Sequence, residues 1–334
     1  MIDTAAREGY WDAVATSDPL RAGRVAADLV ASGTPLPTVL DDLVAAAQLR
    51  VGDLWAANEW SVAREHAATA VGEHVVRRLR RDLEAQATAR RTGAPLLMVC
   101  AEKEWHALPA LLLTTRLEHA GHRVVYLGPD VSTTALQIAI DEHNPRATLV
   151  SASLSSSLFF ARRHVETSTS VGVPVVVGGA AFDPGGVRAQ RLGATAHAAS
   201  ASVLARRLPD LPARVRPAPP LTSDSAREAY ALVPGLSVVA EALVSRARDG
   251  GSGAAVVAVA DQVPHLLGTL VAALLLDDPA IMAEGRSWLR AVAEARPGAA
   301  AAVDRLWEEL GRHVRDFPQA YDLLRAPGET RTHN

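Results

Sequence analysis

Four short apolar runs between residues 95 and 178 constrain the fold of this chain more than any other feature. They cover residues 95–101, 122–127, 147–152 and 174–178, and a segment with helical spacing of apolar residues follows each one. The runs show little of the alternation of a half-buried strand, so they predict strands that are buried on both faces. Strands that alternate with helices predict a doubly wound, Rossmann-like parallel sheet. Ligands bind such sheets at the carboxyl ends of the strands.

Residues 1–88 have the pattern of about four helices with short connections, which predicts a four-helix bundle. Asp18 is expected to cap a helix whose first residue is a proline, and Ser61 is expected to cap the last helix, which reaches Leu83. Between them, the apolar spacing predicts one helix through Val44 and a separate helix over 49–55.

The remaining boundaries follow from changes in composition. Residues 89–209 contain the predicted parallel-sheet domain, and residues 210–221 form a proline-rich linker. Residues 222–328 return to helical spacing and predict a second helical bundle, with a flexible turn at 250–253. The predicted fold class is therefore multidomain, with α/β and all-α parts.

Composition excludes several classes of protein. The formal net charge is -3 and no basic stripe with interleaved aromatic residues occurs, so direct nucleic-acid binding is not expected. The longest apolar runs, such as 266–276, are shorter than the ~20 residues of a membrane span. No signal peptide is apparent at the N-terminus, and the single cysteine, Cys100, excludes an internal disulfide and a cysteine-rich metal cluster. We expect a cytoplasmic protein that contacts no membrane.

Glu104 and His106 lie in the loop directly after the first predicted strand, at the ligand edge of the sheet. A neutral imidazole at this position can ligate a metal, and a carboxylate two residues away can orient its other nitrogen. A histidine in such a loop can also serve the local structure alone. The position by itself leaves both interpretations open.

The spacing Glu104-x-His106 resembles the signature of cobalamin-binding domains, and three further segments follow in the order of that family. They are Leu127, Gly128 and Asp130 after the second strand, the serines Ser151 and Ser153, and the double glycine Gly178 and Gly179. The resemblance implies that His106 is the lower axial ligand of cobalt, and that the displaced nucleotide tail of the cofactor enters the sheet along small residues. It also identifies the N-terminal bundle as the helical cap of such proteins.

Within the cap, nine residues separate Trp55 from the pair Glu65 and His66. This spacing resembles the adenosylcobalamin site of light-sensing proteins of the CarH type. An indole packs on an adenine face, and a carboxylate accepts hydrogen bonds from ribose hydroxyls or the adenine amine. The resemblance implies adenosylcobalamin as the cofactor. Without it, Trp55 would be read as bundle core and the other two residues as a solvated helix face.

Two positions depart from these patterns. Pro109 stands where cobalamin-binding domains have a glycine, and Ala56 stands where CarH-type proteins have a histidine that captures cobalt after photolysis. Proline suits the first turn of the following helix. Alanine cannot ligate a metal, so the upper ligand after photolysis is left open.

The order of cap, cobalamin domain and helical bundle resembles the photocobilins, which combine cobalamin with biliverdin. The resemblance implies a non-covalent bilin site in residues 222–328, because Cys100 lies in a predicted buried strand. A tetrapyrrole needs aromatic walls and cations for its propionates. The candidate residues for this pocket are His265, Trp288, Arg290, Trp307 and His313. The two tryptophans also fit periodic core positions.

These resemblances imply a B12-dependent photoreceptor and not an enzyme. Photolysis of the cobalt–carbon bond would change the packing of the cap and shift self-association, as a dimer or tetramer, with a downstream signalling protein as a further partner. One alternative is a corrinoid carrier that holds methylcobalamin in a methyltransferase system. A B12-storage protein without a light response is another.

Overall fold

The computed structural model of the protein describes residues 2–86, 93–249 and 253–325. The expected domain boundary at 88/89, most of the expected turn at 250–253 and the end of the expected C-terminal bundle fall outside these ranges. The cap consists of α1 (Thr4–Ala15), α2 (Pro19–Ala31), α3 (Leu36–Val39), a π-helical turn (Leu40–Ala45), α4 (Ala46–Ala56) and α5 (Val62–Gln86).

Side-chain caps begin two of the cap helices, as the sequence predicted. The Asp18 carboxylate accepts a hydrogen bond from the backbone N–H of Arg21 at 2.9 Å. The Ser61 hydroxyl accepts one from the backbone N–H of Arg64 at 3.3 Å. Each cap satisfies an N–H group that has no partner within its helix.

The prediction of two separate helices between residues 36 and 55 was wrong. Helices α3 and α4 join through the π-helical turn into one continuous helix, in which the backbone N–H of Ala46 donates to the carbonyl of Asp41. No glycine or proline interrupts residues 38–51. The wider π-helical turn absorbs the change in apolar spacing without a break.

The α/β domain is built on a five-stranded parallel sheet with the strand order β2-β1-β3-β4-β5. The strands are β1 (Leu96–Cys100), β2 (Val124–Gly128), β3 (Ala147–Ser151), β4 (Val175–Gly178) and β5 (Ala196–His197). The helices are α6 (Ala107–His119), α7 (Thr133–His143), α8 (Leu158–Ser170), α9 (Val187–Arg191) and α10 (Ala201–Arg207). Strands β1 and β3 are buried along their whole length, as the apolar runs predicted. The strand order reverses between them, which is where doubly wound sheets bind ligands.

Strand β5 and helix α10 were not predicted from the sequence. Strand β5 has two residues, pairs with β4 through Val176 and Val177, and carries His197 at its end. A strand this short has no apolar run that periodicity can detect. His164 is fully buried in α8, where its Nε2 atom donates to the Val131 carbonyl at 2.8 Å.

The cap is docked on α6 of the α/β domain. Leu108 and Leu111 of α6 belong to the hydrophobic core of the cap. Arg80 of α5 forms two hydrogen bonds with the Glu118 carboxylate, at 2.6 and 2.7 Å. An ion pair between Arg116 of α6 and a carboxylate of the cap adds a further link. The face of α6 is therefore one wall against which the cap packs.

The C-terminal bundle follows the segment 210–221. Its helices are α11 (Asp224–Leu232), α12 (Leu236–Arg248), α13 (Ala254–Ala260), α14 (Val263–Leu276), α15 (Pro279–Glu294), α16 (Ala300–His313) and α17 (Pro318–Arg325), with a 3-10 turn (Val233–Gly235) between the first two. Asp278 caps α15 by accepting a hydrogen bond from the backbone N–H of Ala280 at 3.2 Å.

The C-terminal bundle and the α/β domain share one hydrophobic core, which continues from Val99 and Val177 in the sheet to Leu270 and Leu306 in the bundle. Arg188 of α9 is buried and reinforces this junction, since it donates to Asp278 at 3.1 Å and to Glu284 at 2.7 Å. A continuous apolar core joins the two units more firmly than a polar domain interface would.

The proline-rich segment 210–221 lies against the α/β domain. The backbone N–H of Val215 donates to the Gly172 carbonyl at 3.1 Å, and that of Ala218 donates to the Thr169 hydroxyl at 3.0 Å. The buried Arg162 side chain donates to the Pro219 carbonyl at 2.6 Å. These bonds fix the path of the chain into the C-terminal bundle.

Two helical stretches, Asp224–Arg248 and Val256–Leu276, are long and apolar enough to cross a membrane by length and composition alone. The second is 72% buried within the fold, as the core helix of a soluble protein would be. The first contains a 3-10 turn at Pro234. These stretches are weak evidence for a membrane span.

Candidate functional site

Glu104 fixes the orientation of His106 in the loop between β1 and α6. The His106 Nδ1 atom lies 2.6 Å from Glu104 Oε1, and the backbone N–H of His106 donates to the same oxygen at 3.0 Å. A proton on Nδ1 leaves the lone pair on Nε2, which is the state in which imidazole ligates a metal. The His106 side chain is 54% exposed and Glu104 is fully buried, so an accessible ring rests on a buried anchor.

The second oxygen of Glu104 joins this loop to the loop after β3. Glu104 Oε2 accepts hydrogen bonds from the backbone N–H of Ser153 at 2.7 Å and of Leu154 at 3.1 Å. It also accepts one from the Ser157 hydroxyl at 3.2 Å. A buried charge is tolerated when it is hydrogen-bonded in this way. The carboxylate therefore connects the two loops at the point where the strand order reverses.

The electrostatics of the pair favour an ionised Glu104. Burial acts to raise the pKa of the Glu104 carboxyl, but the hydrogen bonds and positive charge of His106 outweigh it, and the pKa is lowered. The hydrogen bond to Glu104 raises the pKa of His106 against the opposing effect of burial. The Glu65 carboxylate contributes to this raised pKa as well. Glu65 belongs to the cap and His106 to the α/β domain, and the space between these two units is here called the cleft.

The cap residues of the predicted adenosyl site are held by a chain of polar contacts. Glu65 pairs with His66 Nδ1 and accepts a hydrogen bond from the Thr69 hydroxyl at 2.8 Å. Gln48 Nε2 donates to the Thr69 hydroxyl at 2.7 Å. The His66 side chain is 74% exposed, which leaves its ring free to meet a ligand. Trp55 lies in the last turn of α4 and is partly buried.

The segment after β2 supports the loop that carries His106. The Asp130 carboxylate accepts a hydrogen bond from the backbone N–H of Lys103 at 2.8 Å, and the backbone N–H of Asp130 donates to the Glu104 carbonyl at 3.0 Å. Gly128 has a φ of +97°, a conformation that suits glycine. Leu127 packs against the core shared with the C-terminal bundle. The segment after β2 therefore supports His106 indirectly, by hydrogen bonds to the loop residues Lys103 and Glu104.

A cavity of about 350 Å³ extends from the carboxyl ends of β3 and β4 along α6 and α10. Its lining includes Ser151, the double glycine Gly178 and Gly179, and residues 198–201, all of them small. Small side chains leave space at the strand ends for a bulky group. We refer to this space as the slot.

The double glycine is also required by the protein itself. A Cβ atom on Gly178 would lie 2.6 Å from the Ala198 carbonyl oxygen, and one on Gly179 would meet the Ala152 carbonyl oxygen at a clashing distance. Gly179 has a φ of +111°, which side chains of L-amino acids rarely adopt. Backbone crowding therefore explains why glycine occupies these positions, whether or not the slot is filled.

The contacts of the five candidate bilin residues place them in different surroundings. His265 Nδ1 lies 3.3 Å from the Ser156 hydroxyl, in the loop after β3. Trp288 stacks on a cap residue, as described below. The other three are surrounded by the C-terminal bundle or by solvent. Trp307 Nε1 donates to the Leu324 carbonyl at 3.3 Å, His313 pairs with Glu309 at 3.2 Å, and Arg290 is exposed on α15.

Several residues near the site were not identified from the sequence. Ser156 and Ser157 form the 3-10 turn after β3, and only the fold brings them to Glu104 and His265. Trp105 is 66% exposed beside His106, and its position within the Glu-x-His spacing was the signal that could have identified it. Arg296 donates to the Trp55 carbonyl at 2.8 Å from 241 residues away, a relation that no spacing predicts.

These residues fit a cobalamin whose lower base is displaced. Such a cofactor needs an accessible imidazole for cobalt, which His106 offers on its buried Glu104 anchor. It also needs room for the nucleotide tail, which the slot offers beside Ser151. An acidic partner on the second nitrogen of a ligating histidine is common in metal sites.

Comparison with known families identifies both N-terminal units. Residues 95–204 match a family described as a B12 binding domain, and residues 6–80 match a second family with the same description. No curated protein sequence matches the chain significantly.

Three solved structures are similar to this chain. The monomethylamine corrinoid protein of Methanosarcina barkeri has 20% identity and a TM-score of 0.52, over 63% of this chain and 100% of its own. The methanol:cobalamin methyltransferase complex MtaBC of the same organism has 15% identity and a TM-score of 0.31, over 60% and 77%. A cobalamin-binding protein of Desulfitobacterium hafniense DCB-2 has 21% identity and a TM-score of 0.32, over 62% and 99%.

The likeness to the monomethylamine corrinoid protein shows a shared fold. The two family matches cover the cap and the α/β domain, the units that face each other across the cleft. The chain is therefore a member of the cobalamin-binding proteins, with a helical C-terminal bundle beyond its B12 binding domains.

Proposed function

We propose that this protein is a light sensor that holds adenosylcobalamin between the cap and the α/β domain. The observation that carries the proposal is the exposed ring of His106 on its buried Glu104 anchor, directly before α6, the helix on which the cap packs. The cap that carries the Trp-x9-Glu-His set is therefore docked next to the loop of the candidate cobalt ligand. This arrangement supports a cofactor that is bound by the cap on one side and by the α/β domain on the other.

Each side of the cleft would have a separate task. His106, oriented by Glu104, would hold cobalt from below, and Trp55, Glu65 and His66 would contact the adenosyl group from the cap. When bound, adenosylcobalamin supplies a cobalt–carbon bond that visible light breaks. The protein binds and orients the cofactor and responds to its change.

The response would come from contacts that the cap residues lose. In the dark, Trp55 and Glu65 would share a partner with the α/β domain, and after illumination they would not. One lost stacking contact and one lost hydrogen bond together correspond to about 1–3 kcal/mol. That difference shifts an equilibrium by roughly tenfold to a hundredfold, enough to change the docking of the cap or self-association.

A corrinoid carrier of methyl groups is the second candidate, and the fold shared with the monomethylamine corrinoid protein is its support. A carrier must open its cap to let another protein reach the cobalt. Here the chain continues past residue 204, where the family matches end, into a bundle that contacts Trp55 on the cap and Ser156 on the α/β domain. Contacts to both walls oppose such opening, so we favour the sensor.

The first test is the absorbance spectrum of the purified protein loaded with adenosylcobalamin, before and after green light, together with its elution volume. A light-driven loss of the adenosylcobalamin spectrum at a rate that differs from free cofactor, with a change in elution volume, is expected. The carrier would be favoured if the protein bound adenosylcobalamin tightly, the bound cofactor photolysed at the rate of free cofactor, and light left the elution volume unchanged. A second sample with biliverdin tests the bilin site, because a far-red band that co-elutes with the protein would add a second chromophore and its absence would remove it.

Trp55→Ala separates the two candidates further. If Trp55 contacts the adenosyl group, the variant loses affinity for adenosylcobalamin by about tenfold and keeps its affinity for methylcobalamin. Trp11→Ala is the matched control, because Trp11 is another indole of the cap and stacks on Trp60 at 5.6 Å. Equal losses for both cobalamins in Trp55→Ala would contradict the sensor.

A further inference from the structure

Arg296, at the end of α15 in the C-terminal bundle, binds the end of the cap helix that carries Trp55. Its guanidinium donates to the Trp55 carbonyl at 2.8 Å and to the Ala56 carbonyl at 3.3 Å. It also donates to the Val292 carbonyl of its own helix at 2.8 Å. These carbonyls lie in the last turns of α4 and α15, where backbone oxygens carry partial negative charge. A cation between two helix C-termini stabilises both ends.

The same bundle contacts the Trp55 side chain. The indole rings of Trp55 and Trp288 stack with centroids 5.9 Å apart and an interplanar angle of 25°. The Arg296 guanidinium carbon lies 5.2 Å from the centre of the Trp55 ring, within reach of a cation–π interaction. Arg296 is only 5% exposed, so this interaction is shielded from solvent. Backbone and side chain of Trp55 are thus held by the C-terminal bundle.

A second contact fixes the bundle to the opposite side of the cleft. Helix α14 packs so closely on the loop after β3 that a Cβ atom on Gly268 would lie 2.6 Å from the Ser156 Cβ atom. His265 of the same helix meets the Ser156 hydroxyl at 3.3 Å. The next residue of that loop, Ser157, donates to Glu104 Oε2 at 3.2 Å, and Glu104 holds the His106 ring. The bundle that holds Trp55 is therefore fixed beside the candidate cobalt ligand.

We infer that Arg296 and Trp288 are positioning residues that set the place of Trp55 in the cleft, so that the C-terminal bundle forms a third wall of the cobalamin site. The inference rests on the proposed function, because it assigns Trp55 to the adenosyl group. Arg296 and Trp288 act through Trp55, which both of them contact and which would help to distinguish adenosylcobalamin from methylcobalamin.

The test uses the full chain with Trp288→Leu and Arg296→Met, and Arg305→Met as the matched control. Arg305 also donates to a backbone carbonyl, that of Ala247 at 3.2 Å, but within the bundle. Trp288 is 41% exposed, so its variant is expected to fold even if Arg296→Met does not. Trp288→Phe keeps a stacking ring and should restore the wild-type behaviour.

The first readout is amide hydrogen exchange without cofactor at 57–59, whose N–H groups bond to carbonyls of 53–55 at the end of α4. Trp288→Leu should raise exchange there about fivefold, while Arg305→Met should not. The second readout is the ratio of the dissociation constants for adenosylcobalamin and methylcobalamin. Trp288→Leu should reduce the preference for adenosylcobalamin by about fivefold to tenfold.

Unchanged exchange at 57–59 in both variants would overturn the contact between the bundle and the cap. Faster exchange with an unchanged ratio of affinities would overturn the positioning role. If the wild-type protein binds both cobalamins equally, the proposed function is overturned instead. The exchange measurement then tests only the contact between the bundle and the cap.

Discussion

One carboxylate oxygen of Glu104 lies 2.6 Å from the Nδ1 atom of His106. The other oxygen accepts a hydrogen bond at 2.7 Å from the backbone N–H of Ser153, in the loop after β3. A single buried side chain thereby sets both the direction of the candidate cobalt ligand and the spacing of two loops. Its loss should affect stability and cofactor binding together.

Glu104→Gln is expected to lower the free energy of unfolding by about 1–3 kcal/mol. A glutamine amide presents one acceptor oxygen, so the donors at His106 or at Ser153 and Leu154 would face an NH₂ group. Urea unfolding of the cofactor-free protein measures the change. Glu102→Gln in the same loop is the control, and an equal loss of stability in both variants would count against the special role of Glu104.

His106→Ala should weaken the retention of cobalamin and change its absorbance spectrum, because the imidazole ligand is removed. Added imidazole should restore the wild-type spectrum, since it can occupy the vacated position. His119→Ala, at the exposed end of α6, should leave the spectrum unchanged. A His106→Ala spectrum identical to that of the wild type would remove His106 as the ligand.

Ala198→Leu tests the slot. The added side chain would enter the space lined by Ser151 and Gly178, and we expect affinity for cobalamin to fall by about tenfold or more. Affinity for cobinamide, which lacks the nucleotide tail, should stay the same. Isothermal titration with both compounds measures the difference. Parallel losses would show that the slot does not take the tail.

His164 gives a prediction about pH. Burial lowers the pKa of His164 to about 4, whereas an unfolded histidine titrates near ~6.5. Above pH 6.5 neither state is protonated at this residue, and as the pH falls towards 4 the unfolded state binds the proton first. The folded state should therefore lose about 3 kcal/mol over this range.

Thermal unfolding of the cofactor-free protein between pH 7 and pH 4, compared with His164→Gln, measures this effect. Glutamine retains a donor for the Val131 carbonyl but does not titrate, so the variant should show a flatter pH dependence. His119→Gln should keep the wild-type slope. Identical slopes for wild type and His164→Gln would contradict the assignment.

Local signals in the sequence were sufficient for most of the fold. The apolar runs predicted β1 and β3 nearly to the residue, since strands buried on both faces need continuous apolar side chains. The two residues of β5 and the π-helical turn were missed, because neither produces a period that a window can detect.

The candidate site was predictable where it is local and unpredictable where it depends on tertiary contacts. Glu104 and His106 are two residues apart, so their pairing could be inferred from a loop after a strand. The Trp55 carbonyl that accepts from Arg296 and the Trp55 ring that stacks on Trp288 lie in the cap, more than 200 residues away, and only packing brings them together. The small residues of the slot were expected, but the sequence could not reveal that Ala152 and Ala198 already require the double glycine.

The hydrophobic core that runs from the sheet into the C-terminal bundle restricts how the molecule can move. The bundle cannot move away from the α/β domain without exposing that core, so we expect these two units to move together. The cap has a different core, to which Leu108 and Leu111 of α6 belong, so we expect a hinge motion to move the cap relative to these two units. Any hinge motion that opens the cleft must therefore separate Trp55 from Trp288. The distance between these two rings then reports whether the cap is open or closed.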